Sequence, residues 1–176
     1  MNNLGERLPR TIMEVYKMLP EGTLAEIING EIYVNQPRLR NHQRMVGKLI
    51  CALYSFLEIS QIGEVYLGPL DVYLDEEANA VQPDIIFVRK ANLAIVKDHI
   101  HGVPDLVVEV LSGSNRSHDL KTKKELYEKF QLSEYWVIDP DSNEAIIFIY
   151  ENGSYKQLPS THGSVSSPMF KHTFTF

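Results

Sequence analysis

A glutamate inside an apolar strand-like run is the residue of this sequence with the clearest chemical meaning. Glu109 lies in the run Leu106-Val107-Val108-Glu109-Val110-Leu111. A buried carboxylate without a partner costs several kcal/mol even after the protein relaxes around it. Such an acid is therefore held by a metal ion, by a basic side chain or by a raised pKa, and each of these is typical of a functional site.

A second acid, Asp84, heads an earlier run of the same kind, Asp84-Ile85-Ile86-Phe87-Val88. If the two strands are neighbours, the carboxylates of Asp84 and Glu109 converge and repel each other unless a hard cation such as Mg²⁺ lies between them. A bound cation of this kind can position a water molecule and stabilise charge on a scissile phosphate. The pattern predicts a divalent-metal site.

A lysine that could complete a hydrolytic centre follows on the next predicted helix. Asp119, Lys123 and Tyr127 are spaced by four residues and share one stripe of that helix. The break at residues 112–115 is short enough for the helix to fold back against the end of the Glu109 strand. The alternative is that Asp119 and Lys123 form a simple i,i+4 ion pair on the surface.

These residues must be positioned by a sheet and its helices. Strand and helix periodicities alternate along the chain, and Asn29-Gly30 between two strand-like runs is a strong hairpin signal. We expect one domain over residues 1–176, of the α/β (α+β) class, with a mixed central β-sheet flanked by helices and an N-terminal β-hairpin. The patterns predict helices over 11–19, 41–58 and 116–130, a short helix and a loop within 89–103, and strands at 23–28, 31–35, 64–67, 70–74, 84–88, 106–111, 135–139, 144–150 and 154–158.

Composition excludes several classes of protein. Hydrophobic residues make up 44% and charged residues 23% of the 176, as in ordinary globular proteins, which excludes a largely disordered chain. No apolar stretch reaches 18 residues and the first residues lack the layout of a signal peptide, so we expect a cytoplasmic location and no membrane association. Cys51 is the only cysteine, and we expect a buried, inert thiol.

The net charge of −6 hides a local excess of basic residues. The segment 37–48 carries four basic side chains and no acid: Arg38, Arg40, Arg44 and Lys48. They could form a patch that contacts the phosphates of a nucleic acid, or only the solvated face of a helix. A different pair, His99 and His101, could bind metal from a strand, but no nearby cluster of acids or thiols supports that reading.

The ordered series of motifs resembles the Uma-two family of proposed endonucleases, within the PD-(D/E)XK nuclease superfamily. The resemblance spans about residues 10–175 and implies a restriction-endonuclease-like core. The residues that carry it are Glu26-(x)₃-Gly30-Glu31, His42, Gln82-Pro83-Asp84, the run 104–112, Asp119-(x)₃-Lys123-(x)₃-Tyr127 and the run 134–140.

The resemblance implies particular roles. Asp84 and Glu109 match the two acidic metal ligands, and the Val110 carbonyl would be a further ligand of Mg²⁺ or Mn²⁺. The lysine usually found two places after the glutamate is missing, because Leu111 stands there, and Lys123 is the substitute.

Two further residues have open roles at this stage. Glu26 could add an acid to the same pocket or be a surface glutamate, and His42 could contact phosphate or only pack and cap its helix.

Taken together, the residues predict a metal-dependent endonuclease that hydrolyses DNA, with Asp84, Glu109 and Lys123 as its catalytic residues. The rival reading is a catalytically silent module that keeps the nuclease fold and binds nucleic acid or a protein partner. The apolar run 146–149 could serve a homodimer interface, although burial in the core explains it equally well.

Overall fold

The computed structural model describes residues 8–20, 22–35, 39–113 and 115–176 of the chain. In the described residues no helix is both long and apolar enough to cross a membrane. The helical segments are α1 (Ile12–Lys17), α2 (Arg40–Ser60), a 3-10 helix (Lys90–Ile95), a π-helical segment (His118–Lys123) and α3 (Lys124–Lys129).

A mixed sheet forms the centre of the fold. Strands β8 (Leu106–Val110) and β9 (Glu134–Ile138) run parallel, and the other neighbouring strands of this sheet run antiparallel. Every residue of β8 and β9 is buried, as expected for strands covered on both faces. In spatial order the strands are β11 (Ser154–Gln157), β10 (Glu144–Glu151), β9 (Glu134–Ile138), β8 (Leu106–Val110), β6 (Ile85–Arg89) and β3 (Gly63–Leu67), and β12 (Thr161–His162) also pairs with β10.

The two faces of this sheet pack against different layers because side chains alternate along each strand. Leu106, Val108 and Val110 of β8 join a core with α2 and with the C-terminal hairpin of β13 (Ser164–Ser167) and β14 (His172–Thr175). Val107 and Leu111 join a second core with α3 and the smaller sheet. Glu109 points to this second side, because it alternates with the residues of the first core.

The smaller sheet contains the predicted N-terminal hairpin. Asn29 and Gly30 form its two-residue turn, both with positive φ, as the Asn-Gly signal requires. Alternation along β1 turns Glu26 and Ile28 toward the central sheet. In spatial order the strands are β2 (Glu31–Val34), β1 (Ala25–Ile28), β5 (Ala80–Val81), β4 (Val72–Tyr73) and β7 (Ile100–His101).

The predicted elements are largely present, but several details differ. Cys51 is exposed rather than buried, because it lies on the face of α2 opposite the buried Leu49 and Leu53. The predicted helix over 116–130 is π-helical over His118–Lys123, and strands β5, β7 and β12 and the β13–β14 hairpin were not predicted. The run 146–149 is mainly buried between β9 and β11 within one chain, so its apolar character needs no dimer.

Asp75 fixes the loop that joins β4 to β5, which leads to a stability prediction. Its Oδ1 accepts from the amides of Glu77, Ala78 and Asn79 at 2.7–3.0 Å. Burial opposes ionisation, but these hydrogen bonds outweigh it and lower the pKa of Asp75. We expect Asp75→Ala to reduce the free energy of unfolding by about 1–2 kcal/mol at pH 7.

The difference should be measured by urea unfolding at several pH values. A lowered carboxyl pKa stabilises the fold above the unfolded value of about 3.9, and this contribution is lost as the pH falls through the acid range. The difference in the free energy of unfolding between wild type and variant should therefore decrease below about pH 4. Glu77→Ala, in the same loop and exposed, is the matched control, and an equal effect of both variants would contradict this role of Asp75.

Candidate active site

The register between β6 and β8 brings the two predicted acids together. Ile85 pairs with Val108, so Asp84, one residue earlier, lies beside Glu109 on the neighbouring strand. Asp84 Oδ2 accepts from the Val110 amide at 2.8 Å. The structure therefore places both carboxylates at one position of the central sheet, as the sequence predicted.

Lys123 reaches Glu109 from the helix that follows β8. Its Nζ lies 2.8 Å from Glu109 Oε1, and the side chain is 1% exposed. The Tyr127 hydroxyl donates to the same oxygen at 3.2 Å. Asp119 Oδ1 is farther from Nζ, at 3.9 Å, so the pair predicted as an alternative exists as the longest contact of a buried cluster and not as a surface pair.

The backbone that carries Lys123 is itself unusual. Residues His118–Lys123 are π-helical, and both Asp119 and Lys123 in this segment are buried. The Tyr135 hydroxyl donates to the Asp119 carbonyl at 3.0 Å, which anchors the segment to β9. π-helical turns are rare and are frequent at functional sites, and no pattern in the sequence predicted this one.

Glu26 also belongs to the cluster, because it is fully buried and not on the surface. Its Oε1 lies 2.8 Å from Lys123 Nζ and accepts from the Gln82 amide at 2.8 Å. In the part of the chain that the structure describes, Glu26 Oε2 has no hydrogen-bond partner. Lys123 thus lies between carboxylates of two different sheets.

His42 contacts the acid on the other side of the site. It is 2% exposed on α2, and its Nε2 lies 3.0 Å from Asp84 Oδ2. Its Nδ1 has no hydrogen-bond partner within the described ranges. A cavity of about 210 Å³ opens here and is lined in part by His42, Gln43, Gln82 and Asp84. Asp84 therefore lies at the accessible side of the site, whereas Lys123 is enclosed.

The electrostatics of the cluster follow from its burial. Burial raises the pKa of Glu109 well above its usual value, and the charges of Asp119, Asp84 and Glu26 add to this, while Lys123 opposes it. Burial alone would lower the pKa of Lys123, but Glu109, Glu26 and Asp119 raise it above its usual value. Lys123 therefore stays charged. Three carboxyl groups, those of Glu109, Glu26 and Asp119, surround the one ammonium, and Asp84 lies beside Glu109, so acids outnumber bases and a bound cation would relieve the excess.

The donor chemistry fits a hard cation. Carboxylate oxygens are the ligands that Mg²⁺ and Mn²⁺ prefer, and Asp84 and Glu109 supply them from adjacent strands. Among the described residues, no three His, Cys, Asp or Glu side chains are grouped to hold an ion. A Mg²⁺ ion held by two carboxylates would have to complete its shell with water and substrate phosphates.

The predicted nucleic-acid contacts lie along α2. Arg40, Arg44 and Lys48 are exposed, and Arg38 lies outside the described residues. Arg44 and Lys48 line a cavity of about 230 Å³ together with Asn41, Met45, Pro140 and Asn143, and none of these lining residues is acidic. Their exposure fits either reading of the sequence, a phosphate contact or a solvated face.

The two histidines considered as a metal pair contact different acids. His101 Nδ1 lies 2.7 Å from Glu76 Oε1, whereas His99 Nδ1 lies 3.8 Å from Asp71 Oδ2. They are not arranged as ligands of a common ion.

Replacing Lys123 with an uncharged residue should destabilise the fold, because buried carboxylates without a cation are unfavourable. We expect Lys123→Met to lower the free energy of unfolding by about 3–5 kcal/mol at pH 7.5, because Glu109 and Glu26 lose their shared cation. The loss should be smaller at pH 5.5, because burial raises the pKa of Glu109 and this carboxyl can bind a proton instead. Urea unfolding measures both values. Lys121→Met, exposed on the same helix, is the control, and an equally small effect of both variants would contradict the buried pairing.

Comparison with known proteins gives the family. A family model described as "Putative restriction endonuclease", that of Uma2, matches residues 12–175. The crystal structure of a "putative nuclease belonging to DUF820" from Anabaena variabilis is similar over 93% of this chain and 92% of that chain, with a TM-score of 0.74 and 18% sequence identity, so the two share a fold. Among curated proteins there is no match. Since the family model covers nearly all of the described structure, the chain belongs to the Uma2 family.

Proposed function

We propose that this chain is a metal-dependent endonuclease that hydrolyses phosphodiester bonds in DNA. Membership of the Uma2 family supports a nuclease. The observation that carries the proposal is the geometry of the site, in which two carboxylates on adjacent strands lie beside a buried lysine bonded to one of them.

Asp84 and Glu109 would hold Mg²⁺ or Mn²⁺, with the Val110 carbonyl as a further ligand. When bound, the cation would polarise a phosphoryl oxygen and lower the pKa of a bound water. His42 would orient Asp84, because its Nε2 contacts the same Oδ2 that accepts from the Val110 amide. The cavity beside Asp84 would admit the scissile phosphate.

Lys123 would perform the role of the lysine that is missing two positions after Glu109, where Leu111 stands. Leu111, which stands in that lysine's place, is 4% exposed and packs in the second core, so it offers no polar group. Lys123 brings an ammonium to Glu109 from the neighbouring helix instead. Its raised pKa keeps it charged, so it would orient the attacking water or stabilise developing negative charge, and would not act as a base.

A second candidate function is a module that binds nucleic acid without cleaving it. The contact of Lys123 with both Glu109 and Glu26 favours it, because this ion pair compensates Glu109 without any metal. Calorimetric titration with Mn²⁺ separates the two functions, since the silent module predicts no binding at Asp84 and Glu109.

Removing one carboxylate charge should abolish catalysis. We expect Glu109→Gln to reduce Mg²⁺-dependent cleavage of plasmid and single-stranded DNA by about 100-fold or more, because the cation would lose a ligand and Lys123 would lose one of its charged partners. Glu125→Gln, an exposed glutamate of α3, should cleave like wild type. Unchanged cleavage by the Glu109 variant would refute the assignment.

The basic residues of α2 give a separate prediction about DNA binding. Arg44→Ala and Lys48→Ala should each weaken binding similarly for all sequences and reduce the slope of log K against log salt by about 1, if each side chain contacts a phosphate. Fluorescence anisotropy at several salt concentrations measures the slope. Lys97→Ala, exposed elsewhere, serves as the control, and a slope unchanged in the α2 variants would assign those residues to a solvated face.

A further inference from the structure

Glu26 is the acid of the cluster that comes from the other sheet. It lies on β1, whereas Glu109 lies on β8 and Lys123 on the π-helical segment. Its side chain is fully buried, and alternation along β1 directs it at the central sheet. The smaller sheet therefore places a charged side chain in the site. An apolar side chain at this position would not carry the cost of burying a charge.

The contacts of Glu26 differ from those of Asp84. Its Oε1 already has two partners, the ammonium of Lys123 and the amide of Gln82, each at 2.8 Å. Asp84 instead lines the open cavity, in contact with His42. Glu109 lies equally close to the Lys123 ammonium, but it neighbours Asp84 across the β6–β8 pairing. Glu26 comes from the other sheet and is held by the Gln82 amide, so it is the better placed of the two to anchor the lysine.

The backbone amide of Gln82 links Glu26 to the segment that carries Asp84. Gln82 precedes Asp84 by two residues, so a hydrogen bond from its backbone fixes the Glu26 carboxylate relative to that segment. Glu26 in turn fixes Lys123. The distance between the ammonium and Asp84 is then set through backbone and buried side chains, without any exposed group.

We propose that Glu26 is a positioning residue that holds the Lys123 ammonium in place for hydrolysis and is not a ligand of the metal ion. The inference rests on the proposed nuclease function. Glu109 would be shared between a bound cation and Lys123, and Glu26 would remain as the anchor of the lysine. Both carboxylates would be needed, Glu109 to bind the cation and Glu26 to hold Lys123.

The test compares Glu26→Gln with Glu109→Gln in the full chain. Glutamine keeps the size of the side chain and an oxygen that accepts from the Gln82 amide, but it removes the charge that holds Lys123. We expect the Glu26 variant to bind Mn²⁺ within about 3-fold of wild type by calorimetry, and to keep its KM for DNA within the same range. Its kcat should fall about 10- to 100-fold, since small misplacements of a catalytic group cost this much. Glu109→Gln should lose Mn²⁺ binding.

Further variants make the result specific. Glu31→Gln, on the adjacent strand and exposed, should match wild type in all three measurements. Glu26→Asp keeps the charge with a shorter reach and should recover part of kcat, and it replaces the glutamine variant if thermal melting shows that the latter does not fold. Loss of Mn²⁺ binding in the Glu26 variant, as in the Glu109 variant, would overturn the inference, and so would an unchanged kcat. A wild-type chain that neither binds Mn²⁺ nor cleaves DNA would overturn the proposed function and this inference with it.

Discussion

The ammonium of Lys123 lies 2.8 Å from a carboxylate oxygen on each of two sheets, and all three side chains are at most 1% exposed. Burying these charges carries a large desolvation penalty, and well-packed apolar side chains in their place are often neutral or stabilising. Stability alone therefore does not account for the cluster. Removing Lys123 would leave two buried carboxylates without their shared cation, so Glu109 and Glu26 both depend on it.

The architecture supplies what this interaction needs. The pairing of β6 with β8 sets Asp84 beside Glu109, and the pairing of β8 with β9 places the Glu109 strand in the interior of the sheet, where both of its faces are covered by a core. The π-helical segment turns Lys123 inward, and the second sheet delivers Glu26 from the opposite layer. On the other face of the central sheet, α2 packs through its apolar side and brings His42 to Asp84 near its first turn. Each layer of the fold thus contributes at least one group to the site.

The sequence predicted the carboxylates and the lysine because their signals are local. An acid in an apolar run and a stripe with a spacing of four are visible without knowing the fold, and the Asn-Gly pair fixed the hairpin. Burial and long-range contacts were harder to predict. Glu26 looked equally like a surface residue, since its partners Gln82 and Lys123 are 56 and 97 positions away (82 − 26 and 123 − 26). The π-helical turn depends on packing against Tyr135, and the exposure of Cys51 depends on which side of α2 meets the sheet.

We propose that Asp84 and Glu109 share one divalent cation while Lys123 remains bonded within the cluster. Anomalous diffraction from crystals grown with Mn²⁺ is the sharpest test, because the anomalous signal locates the ion independently of the protein atoms. We expect one peak within bonding distance of both carboxylates, with Lys123 still in contact with Glu26. A peak remote from Asp84 and Glu109, or no peak at saturating Mn²⁺, would contradict it.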